Sequence, residues 1–206
     1  MKNTDKARIA VLVSGGGTNL QALIDAEKSG IIRSGKIELV VASKPDAYAL
    51  TRAANAGIKT EVASRRELGS QAEFESKILK ALEDNGIELI ILAGFMSILS
   101  EDFVKRYPRR IINVHPALIP SFCGEGYYGL RVHEAALAYG VKLTGATVHF
   151  VNEIPDGGEI IFQKSVAIRK NDTPETLQRR VMEEAEWKLL PRAAESVSRE
   201  ILKTRK

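Results

Sequence analysis

Short, almost wholly aliphatic runs alternate with amphipathic stretches through the first half of this chain. The first run, Ile9-Ala10-Val11-Leu12-Val13, is too short and too uniformly apolar for an amphipathic helix, and glycines stop it. It predicts a strand over 8–14, buried on both faces. Beyond the glycines, Leu20, Leu23 and Ile24 recur at helical spacing, so a helix over 19–27 follows directly. The alternation continues with strands over 37–42, 60–63, 89–92 and 110–114 and helices over 47–56, 71–84 and 101–106. Such a series predicts an α/β fold: an open, twisted, mostly parallel sheet with helices on both faces and right-handed crossovers.

The second half is less regular. A Pro/Gly-rich loop over 116–129 leads to a helix over 132–139 and a strand over 144–151. A short turn over 152–158 feeds a last strand over 159–168, and two strands joined so briefly pair antiparallel, making the sheet mixed. Thr173-Pro174 reads as a helix start, with a capping hydroxyl followed by a proline at the first helical position. The final helix is expected to reach about residue 201, with a kink at Pro191. At 206 residues the chain suits one large domain, taken as 1–206.

Composition excludes several classes. The 44% hydrophobic and 27% charged residues are those of an ordinary globular protein, not of a disordered or fibrous one. The net charge of +4 raises nucleic acid as a partner, yet the basic residues are scattered, with their densest cluster at Lys203-Thr204-Arg205-Lys206. With no accompanying aromatic stripe, no nucleic-acid partner is expected. The single cysteine, Cys123, allows no internal disulfide and no metal cluster of its own. With neither a signal-like opening after Met1 nor an apolar run of spanning length, the expectation is a cytoplasmic protein without a membrane partner.

Three motifs carry the chemistry. Ser14-Gly15-Gly16-Gly17-Thr18-Asn19 joins a buried strand to a helix start, where free N–H groups and the positive dipole end suit a phosphate. It lacks the third glycine of a dinucleotide fingerprint, where Leu20 stands, and the Gly-Lys-Ser/Thr of a nucleoside-triphosphate loop. A phosphomonoester fits it better. Asn113 and His115 are two apart at a strand end, so both side chains leave one face of the carboxyl edge, where open α/β sheets bind ligands. Pro116 holds His115 extended. Asp156, in the turn Asp156-Gly157-Gly158, is the candidate carboxylate to orient His115 and keep it cationic. An amide, an imidazole and a carboxylate suit acyl transfer to an amine, in which an oxyanion needs a donor and a proton must move. A plain turn without ligand, or a nucleotide-binding module without chemistry, remains open on these fragments. His133 and His149 read as structural residues.

Four motifs in order resemble the phosphoribosylglycinamide formyltransferases, the folate-dependent formyltransferases of purine synthesis. They are the segments 13–22, 92–100, 113–116 and 145–151, the last leading into Asp156-Gly157-Gly158. The resemblance covers nearly the whole chain and implies a Rossmann-like formyltransferase fold with 10-formyltetrahydrofolate as co-substrate and no metal. It implies that Gly16, Gly17, Thr18 and Asn19 hold the ribonucleotide phosphate and that Glu186 meets the glycinamide amine. It further implies that Phe95, Met96, Ser97, Ile98 and Leu99 line the pterin pocket, while Asn113, His115 and Asp156 carry the transfer. The chain departs from the pattern where many relatives have arginines facing the acidic tail of the folate, at Ser97 and at Gln71. The loop over 122–129 is longer than in many members and reads as a lid or as packing by Tyr127 and Tyr128. The resemblance implies small-molecule substrates and a monomer or weak homodimer.

Overall fold

The computed structural model describes residues 6–205; Met1–Asp5 and Lys206, on which part of the reading of the two ends rests, lie outside them. Seven strands form one sheet in the order β3-β2-β1-β4-β5-β6-β7. They are β1 (Ala7–Val13), β2 (Gly35–Ala42), β3 (Lys59–Val62), β4 (Leu89–Leu92), β5 (Ile111–His115), β6 (Leu143–Phe150) and β7 (Ile160–Ala167). The first five pair in parallel, whereas β6 runs antiparallel to both β5 and β7. The mixed sheet read from the sequence is therefore present, with strand ends within two residues of their expected places.

Alternation along the strands sorts the core into two layers. Val11, Val13, Leu89, Ile91, Ile112 and Val114 face one layer, which the C-terminal helices cover. Ala10, Leu12, Ile90, Leu92 and Ile111 face the other, with Phe74, Ile78, Leu82 and Phe103. Helices α1 (Thr18–Lys28) and α2 (Tyr48–Asn55) pack on the first face. The short α3 (Arg65–Leu68), not foreseen, is followed by α4 (Gln71–Asp84) and α5 (Glu101–Lys105), which close the second face. Ser64 caps α3 by accepting from the Glu67 N–H, a local hydrogen bond sufficient to fold one turn.

The later helices are α6 (Leu130–Tyr139), α7 (Pro174–Val181) and α8 (Trp187–Thr204), with a π-helical turn at Met182–Glu186 joining the last two. Thr173 and Thr176 cap the start of α7 reciprocally, each side chain accepting from the other's backbone N–H. The irregularity foreseen at Pro191 falls one turn earlier, on the π turn. Pro191 lies inside α8 and cannot donate to the carbonyl four residues before it, and the wide turn directly precedes that carbonyl at Trp187. π turns of this kind commonly mark functional positions, and this one ends on the buried Glu186.

Candidate active site

The loops after β1, β4 and β5 leave the same edge of the sheet. Leu12 pairs with Leu92 and Leu92 with Asn113, so two strand spacings, about 10 Å, separate the end of β1 from that of β5. The glycine loop and the Asn-x-His strand end are thus neighbours on one edge.

Within the loop, the three glycines have different tasks. Gly17 has a φ of +71°, and a side chain there would meet Ala49 Cβ at 2.7 Å, so α1 can start only if this residue is glycine. Above Gly15 and Gly16 there is open space. No side chain caps the start of α1 and no acidic residue lies in its first turn, which leaves its N–H groups to an anion. Arg52 donates to the Gly16 carbonyl at 2.8 Å and fixes the loop from below. Asn19 donates to Glu186 at 2.7 Å. This bond places the Glu186 carboxyl beside the start of α1 and the glycine loop. Burial lifts it to about 7 against the lowering effect of Asn19. The Thr18 hydroxyl lies beside Met182.

At the other end, Asn113, His115 and Asp156 do converge. His115 Nδ1 lies 3.4 Å from Asp156 Oδ2, and Asn113 Nδ2 donates to Asp156 Oδ1 at 3.4 Å. The turn that carries Asp156 is built for this. Asp156 has a φ of +56°, and a side chain at Gly158 would stand 1.8 Å from the Phe150 carbonyl oxygen. Only glycine lets the turn close so tightly on β6.

A fourth member was read as structural. His149 pairs with Asn113 across β5 and β6, so its ring faces the same side, 3.5 Å from Asp156 Oδ1 and 3.3 Å from Asn113 Nδ2. Its Nδ1 donates to the Phe150 carbonyl at 2.8 Å, and its Nε2 is the atom that faces Asn113 and Asp156. The antiparallel register is the signal that would have revealed it. His133 stays structural: both its ring nitrogens are buried without partners among the described residues, and burial with the nearby His115 holds it down to about 4.

The charge on His115 differs from expectation. The ring is only 4% exposed, and burial pushes it below its usual range, outweighing the upward pull of Asp156 and of the Phe122 carbonyl; His149 adds to the lowering. Burial would raise Asp156, but the hydrogen bond from His149, the charge of His115 and the Gly124 N–H together hold it below the ordinary carboxylate range. At neutral pH the resting pair is a neutral imidazole beside an anionic carboxylate.

The loop over 120–129 closes on this group. The Phe122 carbonyl lies 2.8 Å from His115 Nε2, and the Gly124 N–H donates to Asp156 Oδ2 at 2.9 Å. Thr147 and Gln163 hold the loop's root through Ala117 and Ile119. Phe122 also meets Tyr127 and Tyr139 edge-on, so Tyr127 packs within the loop, while Arg131 covers Tyr128.

The segment 95–100 follows β4 on the same edge. Phe95 stacks on Phe74 and, with Leu99, packs on the second core layer. Met96 and Ile98 are 51% and 71% exposed and form an apolar surface on this edge, with Ser97 half-buried between them. Both amide hydrogens of Gln71 are engaged, to Glu75 at 2.6 Å and to the Ile98 carbonyl at 3.0 Å. Gln71 therefore offers no donor outward. Among the described residues no cluster of His, Cys, Asp and Glu could hold a metal ion, and no helix is long and apolar enough to cross a membrane.

A family model described as formyl transferase matches residues 7–194. The chain belongs to the formyl transferase family. The chain is 41% identical over 184 residues to the phosphoribosylglycinamide formyltransferase of Haemophilus influenzae, covering 89% of this chain and 84% of that protein. It is 46% identical over 195 residues to the trifunctional purine biosynthetic protein adenosine-3 of Gallus gallus, covering 95% of this chain but only 19% of that protein. Among solved structures, glycinamide ribonucleotide transformylase 1 from Symbiobacterium toebii superposes with a TM-score of 0.88 at 37% identity, covering 95% of this chain and 89% of that one. The family and fold implied by the four motifs are thus met.

Proposed function

We propose that this formyltransferase moves the formyl group of 10-formyltetrahydrofolate to the amine of 5-phosphoribosylglycinamide, a step of purine (IMP) biosynthesis. The observation that carries the reading is the convergence of Asn113, His115 and Asp156 two strands along from an uncapped glycine loop on the same sheet edge. The names of its relatives agree with it.

In this reading Gly16, Gly17, Thr18 and Asn19 bind the phosphate on the N–H groups at the start of α1. Glu186, tied to Asn19, accepts from hydroxyl groups of the ribose. The pterin lies against Met96 and Ile98, and the formyl group points at Asn113. Both contacts made by Asn113 Nδ2 exceed 3.2 Å, so its hydrogens are loosely held and can turn to a developing oxyanion.

His115 moves the proton. When the formyl folate displaces the Phe122 carbonyl, the ring hydrogen transfers to Nδ1, where Asp156 accepts it, and Nε2 becomes a bare acceptor. As the amine nitrogen bonds to the formyl carbon, Nε2 takes its proton. The imidazolium, disfavoured by burial at rest, is now flanked by Asp156 and the oxyanion. Collapse breaks the bond from the carbon to the folate nitrogen, which receives the proton from Nε2. The products are the N-formyl ribonucleotide and tetrahydrofolate.

We read residues 1–206 as one formyltransferase domain, acting in the cytoplasm as a monomer or weak homodimer on small molecules, without a nucleic-acid or metal partner. The test is an assay with each substrate omitted in turn. Formylated ribonucleotide should form only with both present. Loss of formyl groups from the folate at an unchanged rate without the amine would replace this reading with a hydrolase.

A further inference from the structure

Residues 96–99 lie in neither strand nor helix, yet they carry the apolar surface assigned above to the folate. Their backbone is held by side chains from outside. Ser14, at the root of the glycine loop, accepts from the Met96 N–H at 2.8 Å and pairs with Ser43 at 2.6 Å. At the other end stands Glu75 of α4, a carboxylate only 8% exposed. Its Oε1 accepts from the Ser100 N–H at 2.6 Å and from Gln71 Nε2 at 2.6 Å, while Oε2 accepts from the Ser100 hydroxyl at 2.5 Å. Gln71, held in this way, donates its other amide hydrogen to the Ile98 carbonyl. Ser100 Oγ in turn caps α5 by accepting from Phe103 N–H.

We propose that Glu75 is a positioning residue for formyl-folate binding, because its carboxylate clasps Ser100 and Gln71 and thereby fixes the backbone that presents Met96 and Ile98. Three short donors converge on one buried anion, and charge-assisted hydrogen bonds of this kind are the strong ones. Ser14 holds only the near end, and Gln71, which reaches the far end at Ile98, is itself held by Glu75. The proposal rests on the reading of Met96 and Ile98 as the folate surface. It differs from simple support of the core in acting on one substrate and not on the other, since the glycine loop has holds of its own, from Arg52 to the Gly16 carbonyl and from the Ala49 N–H to the Gly15 carbonyl.

The test uses the full chain with Glu75→Ala and Glu75→Gln. Glutamine can accept from Ser100 N–H and Gln71 through its oxygen and donate to Ser100 Oγ, so it should keep the clasp. Glu75→Ala should raise the KM for formyl folate roughly tenfold or more and leave the KM for phosphoribosylglycinamide within about twofold, with Glu75→Gln near the wild type in both. Hydrogen exchange at the Ser100 amide should quicken in Glu75→Ala and stay slow in Glu75→Gln. Equal rises in both KM values, no rise in either, or a Glu75→Gln variant as impaired as Glu75→Ala would overturn the proposal. Ser100→Ala, which removes one donor and leaves Glu75 in place, should shift the folate KM in the same direction; it decides the matter if Glu75→Ala does not fold. If the wild type transfers no formyl group, the functional reading fails, and unchanged exchange at residues 96–100 in Glu75→Ala then refutes the clasp by itself.

Discussion

Asp156→Asn isolates the electrostatic part of the transfer. Asparagine matches the shape of aspartate, tolerates the φ of +56° better than most residues, and can still accept the Gly124 N–H. What it loses is the charge facing His115. At 3.4 Å, with an effective dielectric constant near 20, a carboxylate attracts an imidazolium by about 5 kcal/mol. Asp156 is partly open to solvent, so about 4 kcal/mol is a fair figure for the part lost when the proton reaches His115, and kcat should fall on the order of a thousandfold. The KM for phosphoribosylglycinamide should hardly move, because Asp156 does not touch the glycine loop. Single-turnover formyl transfer, followed by mass spectrometry, measures this, with melting of the variant as a control on folding. A variant retaining more than about a tenth of the wild-type kcat, roughly 1.4 kcal/mol, would refute the proton transfer through a charged His115.

Three further outcomes follow from burial and space. His133, held at about 4, stays neutral in the fold while the unfolded chain takes up a proton below about 6.5; stability should drop by up to about 3 kcal/mol as pH falls from 6.5 to 4, and urea titrations should show a flatter profile for His133→Leu. Glu186, raised to about 7, has the opposite sign: the fold holds its proton where the unfolded chain has lost it, so the associated stability is present below pH 4.5 and is lost as pH rises from 4.5 through 7, by about 3 kcal/mol in all. Glu186→Gln should remove that decay. Gly158→Ala, whose new carbon would meet the Phe150 carbonyl, should cost on the order of 2 kcal/mol or more together with activity, whereas Gly16→Ala, facing open space, should keep its melting temperature and raise only the KM for the phosphorylated substrate.

Much of this was legible before any coordinates. Strand segments such as 9–13 and Leu89–Leu92 are uniformly apolar because a parallel sheet buries them on both faces, and Asn113 and His115 stand out as the polar exceptions at the end of the strand Ile111–His115. The same burial hid His149: in β6 nearly every residue is buried, and only the register opposite Asn113 separates a site residue from a core histidine. The charge of His115 was misread because a neighbouring carboxylate can be inferred from a motif, while the loss of solvent around the ring cannot. The orientations of Gln71 and Glu186 were not legible, since each is turned by a partner distant in sequence, Ile98 for one and Asn19 for the other. The closure of Phe122 and Gly124 over the site likewise depends on Thr147 and Gln163, far along the chain from the loop they hold.

A crystal structure of the chain with phosphoribosylglycinamide and a folate analogue that cannot give up its acyl group tests the central claim most directly. The expected result is a phosphate on the N–H groups of Gly16 to Asn19, with the amine nitrogen within hydrogen-bonding reach of His115 Nε2 and the Phe122 carbonyl displaced from it. A phosphate bound elsewhere, or an amine on the opposite face of the sheet from Asn113 and His115, would contradict it.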